Sequence, residues 1–306
     1  MASLCRLLLA GIVGSTLLTA PGHAVSSCAP PDQGAEGASE AGWTPLFDGH
    51  SLDGWKGDGR YWSVEDGCIV GRSTPEVPCS QTTYLHYVGE RAGEQGDEQA
   101  VERVKPGDGG LDHGRFRDFE VAFEIKLEGA GANSGLQYRS TPKGPGEGDG
   151  FDLSGYQADI DAAHAYTGIL YETYGRGITV GRGEAVRLEP DGSKRELVPA
   201  RADLELKAVL EKIDCDPATG GWHHYRVVAK GRHLEHWIDG ERFMLAEDDG
   251  PQFSAEGIFA LQVHQGPPMT VRVRNIRVRS LDAASGSESG SAAPPDRPAT
   301  DARPNG

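Results

Sequence analysis

Three short segments of this 306-residue chain place hydrogen-bonding side chains at every second position. In Asn133-Ser134-Gly135-Leu136-Gln137-Tyr138-Arg139-Ser140, the alternate set is Asn133, Gly135, Gln137 and Arg139. In residues 155–161, Gln157, Asp159 and Asp161 alternate with Tyr156, Ala158 and Ile160, and in 261–265 Gln262 and His264 alternate with Leu261 and Val263. On a strand, positions two apart share a face. Each segment would therefore present a polar row opposite an apolar one. Carboxylates and an imidazole can accept or deliver a proton, and carboxamides and a guanidinium can hold hydroxyls or a developing oxyanion. Alternation alone fits a solvated face equally well. Two features favour a site: solvated faces elsewhere in the chain are rich in Lys, Arg and Glu, and glycines 129, 131, 135, 144, 146, 148 and 150 allow tight loops over one sheet face.

The elements that must carry these rows read as strands between turns. Residues 61–64 and 68–70 flank Glu65-Asp66-Gly67, a hairpin signal. Residues 119–127 alternate Phe119, Val121, Phe123, Ile125 and Leu127 with Glu120, Ala122, Glu124 and Lys126, as a half-buried antiparallel strand does. Further strands are expected at 225–229, 234–238, 258–264 and 271–279. The last changes phase at Asn275, which predicts a β-bulge there, and its Arg272, Arg274, Arg277 and Arg279 read as the solvated face of an edge strand. One helix is expected, over 203–212, with Asp203 as its cap. Many short strands at regular spacing make an all-β protein, an antiparallel β-sandwich of jelly-roll type, in one domain over 42–281.

Residues 1–24 have one positive charge, Arg6, then an apolar run and a small-residue site, and read as a signal peptide. Residues 25–41 read as a linker, and 282–306 as a disordered tail poor in apolar residues. The protein is therefore expected to be secreted or periplasmic. Val25-Ser26-Ser27-Cys28 also resembles a lipobox, which would make Cys28 a lipid anchor to the envelope. Beyond the leader no segment is long and apolar enough for a transmembrane helix. A net charge of -16 repels nucleic acid and anionic lipid, so neither is an expected partner. Among the cysteines left after export, Cys68 and Cys79 are a candidate disulfide, with Cys28 and Cys215 remaining.

Residues 43–55 (WTPLFDGHSLDGW), 61–71 (YWSVEDGCIVG), 119–140, 154–161 (SGYQADID), 166–172 (YTGILYE) and 257–279 resemble, in order, the 3-keto-disaccharide hydrolase domain family. The resemblance implies a concanavalin A-like jelly roll and cleavage of glycosides oxidised to a ketone at C3. It spans essentially all of the predicted domain, with an apparent insertion at 88–113. One departure concerns the site: Gln157 stands where many members carry Glu, which moves any catalytic carboxylate to Asp159 or Asp161.

A C3 ketone acidifies the C2 proton, so a base could remove it and the C1–O bond could break by elimination, with water then adding back. On that reading His264 or Asp159 is the base, Arg139 with Asn133 stabilises the enolate, and Gln137, Gln157, Asp161 and Gln262 bind substrate. Direct hydrolysis by two carboxylates is the other route. No cofactor is required by the sequence; a divalent cation on Asp159, Asp161 and His264 is a further option, without dedicated ligand spacing. The expected partner is an oxidised carbohydrate, and the rival class is a non-catalytic carbohydrate-binding module. Of the five tryptophans, any one could stack on a sugar. Gly175-Arg176-Gly177 reads as a loop beside the site and His86 as packed or solvated.

Overall fold

The structure is a computed structural model that describes residues 42–89, 114–143, 150–200, 205 and 221–281. The leader, the linker with Cys28, the insertion from residue 90, the helix expected at 203–212 apart from Glu205, Cys215 and the tail all lie outside the described residues.

Among the described residues eighteen strands follow in chain order: β1 Thr44–Pro45, β2 Trp55–Lys56, β3 Trp62–Glu65, β4 Cys68–Ser73, β5 Thr83–Tyr87, β6 Arg115–Phe116, β7 Phe119–Glu128, β8 Asn133–Pro142 and β9 Leu153–Asp161. Then come β10 Leu170–Thr173, β11 Gly177–Val180, β12 Ala185–Leu188, β13 Lys194–Val198, β14 His223–Lys230, β15 His233–Ile238, β16 Glu241–Asp248, β17 Gly257–Val263 and β18 Met269–Ser280. They form two sheets of the expected jelly-roll sandwich. The ten-stranded sheet runs β13-β12-β16-β15-β14-β7-β18-β4-β3, with β1 on β18; the eight-stranded sheet runs β11-β10-β9-β8-β17-β5-β2, with β6 on β17. All pairings are antiparallel except β12 with β16.

The alternating strands explain the layering. Phe119, Val121, Phe123, Ile125 and Leu127 of β7 point between the sheets and are fully buried, where they meet Leu136 and Tyr138 of β8, Tyr156 and Ile160 of β9, and Phe259, Leu261 and Val263 of β17. Across the interface between the sheets the Phe119 ring meets Phe259 edge-on at 4.8 Å and Tyr138 at 6.2 Å, so that aromatic surface closes the sandwich. Burying residues of this size contributes about 1.5–3 kcal/mol each. Tight turns follow the sequence signals: Asp66 and Gly67, and Asp239 and Gly240, all take positive φ, the conformation that a two-residue hairpin loop needs.

The bulge at Asn275 is present. Its φ is 52° and the β18–β7 register shifts between Arg274 and Arg277. The strand's place in the sheet differs from expectation. β18 is not an edge: it lies between β7 and β4. Its arginines are therefore not simply solvated. Arg274 Nε donates to Glu124 at 2.7 Å, Arg279 Nε to Glu120 at 2.6 Å, and Arg277 and Arg279 lie over the Trp43 ring. The buried outer carboxylates of β7 are thus neutralised from the neighbouring strand.

The cysteine pairing also differs. Cys68 is disulfide-bonded, but Cys79 keeps a buried thiol whose Sγ donates to the Gln81 carbonyl at 3.0 Å. Sequence proximity misled here because β4 and the loop before β5 carry the two residues into different surroundings. Among the described residues no helix is long and apolar enough to cross a membrane.

Candidate active site

The eight-stranded sheet turns its other face toward a groove of about 800 Å³. Register lines up the polar rows across it. Gln262 of β17 pairs with Tyr84 of β5, and Gly135 of β8 pairs with Asp159 of β9. One step along, Ala260 pairs with His86 and Gln137, Gln137 with Gln157, and Gln157 with Tyr171 of β10. Directly paired residues share a face, so the three segments converge on one floor. Glycine is required at its centre: a Cβ on Gly135 would lie 2.5 Å from the Ala158 carbonyl oxygen.

The floor is a connected network of carboxamides ending on one carboxyl. Ser140 Oγ donates to Gln137 Oε1 at 2.9 Å, and Gln137 Nε2 donates to Gln157 Oε1 at 2.5 Å and to Thr173 Oγ1 at 2.6 Å. Gln157 and Gln262 exchange Nε2–Oε1 hydrogen bonds of 3.0 and 3.1 Å, and Gln262 Nε2 also reaches the Tyr84 hydroxyl at 3.3 Å. Gln157 Nε2 then donates to Asp159 Oδ1. No donor meets Asp159 Oδ2 among the described residues. Such a satisfied network fixes rotamers and points its unpaired atom.

Burial pushes the Asp159 carboxyl up to about 8; the Gln157 hydrogen bond opposes this and the nearby Asp161 charge adds to it. Burial likewise pushes the Tyr84 phenol up to about 12, against hydrogen bonds with Gln262 and Thr173, so it keeps its proton. His264 lines the groove with Nδ1 at 2.6 Å from the Gln265 carbonyl oxygen. A carbonyl only accepts, so Nδ1 carries a hydrogen, and in that tautomer Nε2 is an acceptor. Asn133 lines the same groove, and its Oδ1 is buried with no hydrogen-bond partner among the described residues. A buried acceptor left without a donor is costly in a folded protein, and it singles out Asn133 among the groove residues.

Of the residues picked from sequence, Asn133, Gln157, Asp159, Gln262 and His264 line the groove, and Gln137 lies directly behind Gln157. Two do not belong to it. Arg139 has φ 47°, in a bulge where the β8–β9 register shifts between Tyr138 and Thr141. The bulge turns its side chain out of the polar row and into the interior. There its guanidinium donates to the carbonyls of Arg117 at 2.6 Å, Gly231 at 2.7 Å and Ser254 at 3.3 Å, and to Asp118 at 3.2 Å. It ties three loops together and cannot reach an enolate over Asp159. Asp161 has its carboxylate taken by the loop that follows β9. Oδ1 accepts from the Tyr166 and Thr167 amides at 2.8 Å each, and Oδ2 from the Ala165 amide at 2.9 Å. Asp161 is therefore a loop clamp rather than a ligand contact. Nor do Asp159, Asp161 and His264 gather: no group of three or more His, Cys, Asp or Glu among the described residues could hold a metal ion.

Asp161→Ala leaves three amides without acceptors. We expect a loss of about 2–3 kcal/mol in stability and faster hydrogen exchange at residues 165–167, read by mass spectrometry.

Sequence reading missed Tyr84, Tyr166, Tyr171, Thr173 and Tyr174, all on the groove. For Tyr84 the missing fact was its pairing with Gln262 across β5 and β17. No tryptophan lines the groove: Trp55 and Trp62 are in the core, and Trp43, Trp222 and Trp237 face arginines on the other sheet. Gly175 and Gly177 do border it, while Arg176 turns to Asp248 at 2.6 Å. His86 is buried, with Nε2 at 2.7 Å from the Phe151 carbonyl oxygen.

The family model of the 3-keto-alpha-glucoside-1,2-lyase-like domain matches residues 42–279. The chain belongs to this family. The match includes all of the strands that build the groove. A curated 3-keto-disaccharide hydrolase of Bacteroides thetaiotaomicron is 29% identical over 119 residues, which is 37% of this chain and 32% of that protein. The chain thus matches about a third of that relative's length. Among solved structures, a putative glycosyl hydrolase from Parabacteroides distasonis is 20% identical with a TM-score of 0.43, over 79% of this chain and 94% of that one. A carbohydrate-binding module from Bacillus subtilis is 15% identical with a TM-score of 0.42, over 74% and 96%. Likenesses of that size say nothing of activity. What the lyase-like family adds is a reason to ask how the Asp159 groove would treat a keto-sugar.

Proposed function

We propose that this protein cleaves 3-keto-glycosides by elimination and hydration, with Asp159 as the base. One observation carries the reading: a buried carboxyl held at about 8, with one oxygen saturated by Gln157 and the other presented to a polar groove. A base of that strength suits a C2 proton acidified by the neighbouring ketone far better than an ordinary carboxylate does. Ionised Asp159 takes the C2 proton, and the electron pair forms the enolate of C3. The Tyr84 hydroxyl, which keeps its hydrogen, donates to the enolate oxygen. Collapse of the enolate forms the C1–C2 double bond and expels the C1 oxygen, which takes the proton from Asp159. Water then adds to C1 with His264 Nε2 accepting its proton, and that proton is returned to C2, which leaves Asp159, ionised, and His264 as they began. The balance is one glycoside and one water giving a 3-keto-sugar and an alcohol. Asn133 Oδ1 accepts from a sugar hydroxyl. Export, as the N-terminal sequence suggests, would place this reaction in the periplasm or outside the cell.

The test is incubation of the protein with a 3-keto-disaccharide and with its unoxidised parent from pH 6 to 10. Turnover of the keto substrate alone is expected, with kcat/KM rising tenfold per pH unit below a pKa near 8 and levelling above it. Binding of both sugars without cleavage of either would instead make this a carbohydrate-binding module.

A further inference from the structure

Six large hydrophobic or aromatic side chains stand out as exposed among the described residues, and three of them, Tyr166, Tyr174 and Ile178, line the Asp159 groove. They are 43%, 66% and 54% exposed. Concentration of exposed apolar surface in one polar cleft marks a binding surface. Tyr174, in the turn between β10 and β11, and Ile178 of β11 sit together at the outer edge of the groove, whereas Tyr166, beside Asp161, lies at the opposite end of β10. Ile178 of β11 pairs with Tyr171 of β10, which pairs with Gln157 of β9. Strands are spaced about 4.8 Å apart, so this apolar edge lies roughly one to two strand spacings from the carboxamide floor, a distance suited to the next ring of a glycoside.

Tyr174 is held in place rather than left loose. Its φ is 57°, a region that a bulky side chain enters only when its surroundings impose it. Its hydroxyl donates to Asp152 Oδ2 at 2.6 Å, and Lys143 Nζ lies 3.5 Å from its ring centroid. Backbone strain, an anchored hydroxyl and high exposure together describe an aromatic platform prepared for a flat apolar face. The groove volume of about 800 Å³ is at the upper end of small-ligand pockets, more than a single sugar ring needs.

We infer that Tyr174, with Ile178 beside it, forms the leaving-group subsite, a platform on which the C–H face of a second pyranose ring stacks. This rests on the proposed 3-keto-glycoside cleavage. The platform makes the enzyme selective for disaccharide substrates over glycosides of small alcohols.

The test compares wild type with Tyr174→Gly, since glycine accepts the positive φ and the variant should keep its Tm. With a 3-keto-disaccharide, kcat/KM should fall about tenfold or more; with the methyl 3-keto-glucoside it should not change. Equal losses on both substrates, or none, would overturn the platform. So would a loss confined to an aryl 3-keto-glucoside, which would assign the ring to aromatic leaving groups. Calorimetric titration with the unoxidised disaccharide provides a readout independent of turnover. Weaker binding to Tyr174→Gly supports the platform even if wild type cleaves nothing, in which case only the proposed reaction fails; unchanged binding overturns the platform.

Discussion

Asp159→Asn should reduce turnover of a 3-keto-disaccharide by about 10³-fold, within the range that a general base contributes, while the protein becomes more stable in alkaline solution. The two effects have one cause. The carboxyl is held at about 8 in the folded chain against an ordinary value of 3.8, because burial disfavours its charge. Between those values the unfolded chain has released the proton and the folded chain keeps it. Stability from this group is therefore complete below about pH 4 and is lost as pH rises to about 8, by about 1.4 kcal/mol per pH unit. Asparagine has no proton to lose, keeps an oxygen for the Gln157 amide, and removes the slope. The comparison must be with the variant at each pH, because His236 acts in the opposite sense. Burial pulls His236 down to about 3, so its share of stability is lost as pH falls below 6.5 and offsets the Asp159 slope in the acid range. The difference in Tm between variant and wild type should widen from pH 5 to pH 8 and then stay constant. A difference that does not change with pH would mean that Asp159 titrates as an ordinary carboxylate and is not the base.

Arg139→Ala should cost about 3–5 kcal/mol, the range for breaking a buried charged cluster, and lower Tm on the order of 10 °C. The guanidinium is fully buried and serves the Arg117, Gly231 and Ser254 carbonyls and the Asp118 carboxylate together. Alanine leaves a cavity and three carbonyls without donors, and lysine cannot serve diverging acceptors from one ammonium. The kcat of the folded variant at 15 °C should stay within about twofold of wild type. Loss of kcat with unchanged Tm would return Arg139 to the chemistry, as its sequence position first suggested.

Arg139 shows where sequence reading stops. Alternation in 133–139 gave a single polar face on the assumption of an unbroken strand. The bulge at Arg139 breaks that assumption, and an arginine is not a residue type that announces positive φ. At Asn275 the phase change appeared in the sequence itself, because apolar residues resumed on the opposite parity, and that bulge was legible. The groove floor was legible for the same reason: Gln157, Asp159, Gln262 and His264 lie on regular stretches whose apolar partners are in the core. Asp161 obeyed the alternation but sits at the end of β9, where loop amides take its oxygens. Its role depends on the path of residues 162–167, which periodicity does not describe. The Tyr174 platform depends on β10 pairing with β9 and β11 with β10, a matter of strand order rather than of local pattern. The position of β18 inside the ten-stranded sheet follows the same rule: charge on a strand predicts an exposed face only until a neighbouring strand supplies carboxylates.

The central claim is removal of the C2 proton by Asp159, and single-turnover cleavage in D₂O tests it most directly. Wild type should release a 3-keto-sugar that carries deuterium at C2 at the earliest time points, above the exchange seen for the free sugar, and Asp159→Asn should release none. Cleavage by wild type with the C2 proton fully retained would show direct hydrolysis and contradict the account.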